Sequence, residues 1–166
     1  MERIVRRRGS FICRGTEEVA STSWQPQKMS ALLLDTHILL WYAEGASDRL
    51  RPASVKKLDA ARTGDGLLVS AISVWEIGAQ SAKGRIQLSI PLRDWTERAL
   101  SVPGMHFVPL DAAAAAESTL LPGDPHGDPA DRFLIATART QGVALATRDE
   151  RIIEYGKLGF LRVVEL

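Results

Sequence analysis

"ALLLDTHILLWY", residues 31–42, decides how the rest of the chain is read. Four apolar residues run without alternation into Asp35, and an apolar set at helical spacing follows. An unalternating run of that length suits a strand covered on both faces, as in a parallel sheet. Parallel strands need crossovers, and the sequence beyond Tyr42 supplies them. "LLVSAI" (67–72) and "VALAT" (143–147) are runs of the same kind, with "HFVPL" (106–110) and "LRVVEL" (161–166) as weaker ones. Helical patterns fall between them, at about 36–44, 52–62, 73–83, 91–101, 111–120, 129–141 and 149–156. The expected fold is a three-layer α/β/α arrangement around a mostly parallel central sheet.

Composition is consistent with one domain. The 166 residues are 45% hydrophobic and 25% charged, enough to bury a sizeable core. The net charge of +1 excludes a globally basic polyanion binder, so any nucleic acid must be met by a local groove. Residues 1–28 differ from the remainder. They hold six cationic residues (Arg3, Arg6, Arg7, Arg8, Arg14, Lys28) against Glu2, Glu17 and Glu18, and show no sustained period. We expect a flexible extension or an over-long start there, with a basic nucleic-acid arm as the alternative. The folded domain is expected at 29–166. The lone Cys13 excludes an internal disulfide and a cysteine zinc site, which suits the cytoplasm. No apolar run approaches a membrane span or a secretory signal.

In such a sheet ligands bind outside the carboxyl ends of the strands, where following helices begin. Asp35 follows the first strand, Glu76 lies one turn into the helix after "LLVSAI", and Asp149 follows "VALAT". Asp128 and Asp131 open the helix in "HGDPADRFLIATA" (126–138). Each acid also has a local explanation. "SVWE" (73–76) fits a capping box with Ser73 as N-cap, and Asp128 precedes a proline at the first helical position. Asp35 and Asp149 are equally placed to cap. One cap is worth roughly 1 kcal/mol. Two carboxylates about 5 Å apart repel by roughly 3 kcal/mol at an effective dielectric near 20. A cluster of four therefore calls for a cation, and magnesium or manganese prefers oxygen ligands. His37, His106 and His126 are scattered and form no metal pair. There is no serine elbow, no dinucleotide fingerprint after the first strand and no phosphate-cradling loop.

Four blocks, "LLLDTHILLWY", "VSAISVWEIGAQSAKGRI", "LPGDPHGDPADRFLIATAR" and "LATRDERIIEYG", resemble in order and spacing the motifs of PIN-domain ribonucleases. The likeness is greatest to the VapC-type toxins of type II toxin–antitoxin pairs, and it runs from Met29 onward. Residue by residue, it places the family's acidic quartet on Asp35, Glu76, Asp131 and Asp149. It implies Asp35 and Asp131 as direct metal ligands, with Glu76 and Asp149 completing the pocket. Asp128 reads as helix cap first and auxiliary site residue second. Thr36 and Thr147 are candidates for orienting carboxylates, and Arg132 for a salt bridge or a phosphate contact. His126 is a candidate substrate contact in its loop, while Trp41 and Trp75 are expected in the core. The resemblance further implies Mg2+- or Mn2+-dependent RNA hydrolysis leaving a 5′-phosphate and a 3′-hydroxyl, a homodimer, and inhibition by a cognate antitoxin.

Two alternatives come from the residues. A haloacid-dehalogenase-type magnesium phosphatase also starts from a strand ending in aspartate, but the sequence continues Asp35-Thr36-His37 and lacks the second aspartate. A non-catalytic binding module on the same fold is the other.

Overall fold

The computed structural model describes residues 31–46, 48–125 and 127–166. In chain order these form β1 (Leu32–Leu34), α1 (Thr36–Glu44), α2 (Pro52–Thr63), β2 (Leu67–Ser70), α3 (Ala71–Ala82) and α4 (Leu92–Leu100). There follow β3 (Met105–Val108), α5 (Ala112–Leu120), α6 (Pro129–Thr140), β4 (Ala144–Thr147), α7 (Glu150–Lys157) and β5 (Val163–Glu165). The five strands make one sheet in the order β3-β2-β1-β4-β5, and every pairing is parallel. The expectation for residues 1–28 lies outside the described residues, as does His126. Among the described residues no helix is long and apolar enough to cross a membrane.

The leucines of β1 explain the layers. Leu33 enters one core with Leu68, Val108 and Leu145, closed by Leu134 and Ile135 of α6 and Ile152 of α7. Leu32 and Leu34 enter the other, with Leu67, Val69, Ile38, Leu39, Leu58, Ile77 and Trp95. Successive residues of a strand face opposite ways, so a central strand must be apolar on both. Complete burial of each such side chain contributes about 1.5–3 kcal/mol.

The chain leaves β1 toward β2 and β3, then returns to place β4 and β5 on its other side. The gap between the carboxyl ends of β1 and β4 is thus a topological switch point, where open α/β sheets form their ligand crevices. Asp35 emerges there, its N–H donating to the Ala146 carbonyl of β4 at 3.0 Å.

One boundary departs from expectation. "LLVSAI" is not all strand: β2 stops at Ser70, whose hydroxyl accepts the Ile72 N–H at 3.2 Å and caps α3. The capping box at Ser73 is therefore not formed. Ser73 lies inside the helix, fully buried, and its hydroxyl has no partner among the described residues. Ala71 and Ile72 carried the apolar run across a junction that has no loop.

Candidate active site

Asp35 is the N-cap of α1 and only 6% exposed. Its Oδ1 accepts the His37 N–H at 3.3 Å, and its Oδ2 accepts a short bond from the Thr147 hydroxyl. Thr147 is the last residue of β4, and its Oγ1 also accepts the Asp149 N–H at 2.9 Å. One buried hydroxyl thus ties the carboxylate after β1 to the backbone of the acid after β4. Asp149 in turn caps α7, accepting the N–H groups of Arg151 at 2.8 Å and Ile152 at 3.1 Å. Thr147→Val keeps the shape but removes this hinge of hydrogen bonds. It is expected to cost about 1–3 kcal/mol in urea unfolding, because a buried carboxylate loses its donor.

Asp128 is exposed and caps α6, accepting the Ala130 N–H at 2.8 Å. Asp131 stands in the first turn of that helix, half-buried, and Glu76 is half-buried on α3. The carboxyl of Asp131 is pushed up from its ordinary 3.8 to about 7. Burial is the largest cause, followed by the negative charges of Asp35, Asp128, Glu76 and Asp149. Acids from four segments therefore meet at Asp131 in the folded chain. Among the described residues no three of them close tightly enough to cage an ion by themselves. Magnesium does not require that, since it keeps several waters and takes one or two carboxylates. The donor set is all oxygen and strongly negative, which fits a hard divalent cation.

Two expectations need correction, those for Thr36 and Trp75, and Arg132 has a partner the sequence did not suggest. Thr36 is buried, but its hydroxyl has no partner among the described residues, so it orients no carboxylate here. Arg132 donates from Nε (3.0 Å) and Nη2 (2.8 Å) to the carbonyl of Ser118 and so binds α6 to α5. Both donors meet one peptide oxygen near the end of a packed helix. Trp75 is 62% exposed, because α3 packs through Ile72, Ser73 and Ile77 and leaves that position on its outer face. Trp41 does pack against the core, partly buried. Sequence reasoning passed over Arg148, which lies 5.9 Å from the Trp41 ring centroid and donates to the Arg49 carbonyl at 2.6 Å. Its position between Thr147 and Asp149 was the only signal.

A cavity of about 590 Å3 lies elsewhere, lined by Tyr42, Glu44, Arg62, Ile90, Trp95 and Met105 among others. It is remote in chemistry from the acids, holding Glu44 bonded to the Trp95 indole N–H at 2.5 Å.

Residues 32–158 match the sequence model of the PIN domain. Ribonuclease VapC22 of Mycobacterium tuberculosis is 35% identical over 124 residues, 75% of this chain and 91% of that protein. Among solved structures, VapBC2 from Rickettsia felis bound to a DNA fragment superposes with a TM-score of 0.60 at 15% identity. It covers 81% of this chain and 98% of its own. VapBC-5 of Mycobacterium tuberculosis, a member of the VapBC toxin–antitoxin family, gives 0.51 at 16%, covering 82% and 98%. These two establish the common fold; the family match and the 35% identity go further and leave no place for the phosphatase alternative. This chain belongs to the PIN domain family.

Proposed function

We propose that the chain is a metal-dependent ribonuclease toxin that hydrolyses RNA phosphodiester bonds and is restrained by a partner antitoxin. The observation that carries this is the field at Asp131, where burial and four neighbouring acids raise the carboxyl to about 7. Such crowding destabilises a metal-free fold and becomes favourable once a divalent cation is present. Asp35 and Asp131 would hold the ion, with Glu76 and Asp149 completing its surroundings directly or through water. Magnesium or manganese supplies charge neutralisation and a bound water of lowered pKa. Thr147 keeps Asp35 aimed by donating to its Oδ2. Attack of water on phosphorus, with departure of the 3′ oxygen, leaves a 5′-phosphate and a 3′-hydroxyl.

The relatedness to Ribonuclease VapC22 supports RNA as the substrate, and the VapBC assemblies of the same fold support an antitoxin partner. A homodimer in the cytoplasm completes the reading. The test is cleavage of total cellular RNA by antitoxin-free protein. Magnesium or manganese is expected to switch cleavage on and EDTA to abolish it, with activity returning when the metal is restored. RNA left intact with both metals, or cut equally well in EDTA, would overturn the proposal in favour of the non-catalytic binding module.

A further inference from the structure

Beside the acids stands a series of three flat groups that the carboxylate chemistry does not use. His37 is exposed, with its ring centroid 5.6 Å from that of Trp41 at an angle of 46°. The Arg148 guanidinium lies 5.9 Å from the Trp41 ring. Trp41 is partly buried against the apolar core, so the series has a fixed base. His37 and Trp41 are four positions apart on α1 and share one helix face. Arg148 is held a second time, by the Arg49 carbonyl at 2.6 Å, and remains exposed.

The placement ties this series to the site. The backbone N–H of His37 donates to Asp35, and Arg148 is the residue between Thr147 and Asp149. Two of the three groups are therefore chain neighbours of the acids. We propose that His37, Trp41 and Arg148 form a stacking platform for an unpaired nucleobase of single-stranded RNA, next to the phosphodiester being cut.

The physical argument has three parts. Unpaired bases are recognised by stacking on aromatic rings and on arginine planes, which serves any base because each has a π face. A guanidinium already restrained by a ring and a carbonyl loses little freedom when a base settles on it. An acidic centre offers nothing attractive to the sugar–phosphate strand beyond the ion, so grip must come from flanking groups. The inference rests on the ribonuclease reading, and its test keeps the two apart.

An RNA oligonucleotide that the wild-type protein cuts is prepared with a single abasic nucleotide at each position around the cut. One position is expected to raise KM about tenfold with kcat little changed. His37→Ala and Arg148→Lys, the latter keeping the charge but losing the plane, are expected to raise KM on intact RNA by a similar factor. They should also make the protein indifferent to the abasic nucleotide at that one position. Circular dichroism checks folding, and the exposed His37 provides a variant that leaves the core alone. If the variants keep the full abasic penalty, or cut intact RNA as wild type does, the platform is refuted while the ribonuclease stands. Absence of any RNA cleavage by wild type refutes both.

Discussion

Asp35→Asn is expected to lower RNA cleavage by at least about 100-fold while leaving the fold intact. The structural reasons for tolerance and for loss are separate. An asparagine side chain still has an oxygen to accept the His37 N–H, so the start of α1 remains capped. The Thr147 hydroxyl can turn toward that same oxygen or keep its bond to the Asp149 N–H. What disappears is the negative charge at the centre of the sheet edge, on a residue only 6% exposed, where water compensates poorly. Cleavage rates with saturating magnesium, beside near-ultraviolet circular dichroism of both proteins, decide the matter. A variant that cuts within threefold of wild type would remove Asp35 from the proposed metal set.

Asp131→Asn is expected to lose activity as well, yet to make the metal-free protein more stable at neutral and higher pH. Folding raises the carboxyl from 3.8 to about 7, so between those values the folded chain holds a proton that the unfolded chain has released. Stability from this group therefore falls as pH rises through that window and is recovered on acidification. A gap of about three units corresponds to about 4 kcal/mol; solvent screening of this half-exposed cluster reduces the expectation to about 2 kcal/mol. At pH 8 in EDTA the asparagine variant should gain that amount in urea unfolding. The gain should shrink toward pH 4, where both states of the wild type become protonated. With magnesium present the order should reverse, since the variant binds the ion less well. A variant that is less stable than wild type at pH 8 without metal would show that the acids do not strain the fold.

Much of this was legible in the residues. Leu32–Leu34 and the runs at 67 and 143 lack alternation because both faces of an inner strand are covered, and that property alone predicts a parallel sheet. Helix α1 begins and ends where Asp35 and Gly45 require, one supplying a cap and the other a positive φ of 65°. Topology alone assigns the acids to one edge, since each follows a strand or opens a helix there. The errors share a cause, which is that side-chain partners depend on packing between distant segments. Ser70 and Ser73 are equally good caps in sequence, and only the end of β2 chooses between them. Arg132 sits beside Asp131 in the chain, yet its guanidinium reaches the Ser118 carbonyl of α5, which the sequence did not suggest. Trp75 looks like a core residue among Val74 and Ile77, but α3 buries Ile72, Ser73 and Ile77 and leaves Trp75 to solvent.

The bond from Thr147 to Asp35 spans 112 residues. Between those two come the whole of β2 and β3 and most of the helices, so the bond cannot exist before the chain is made through β4. A nascent chain carries Asp35 and Glu76 early, without Asp131, Asp149 or the strand that fixes their positions. The ribonuclease proposed above would be made on a machine built of RNA. The order of its segments withholds the finished site until translation has passed β4, a delay written into topology with no added regulator.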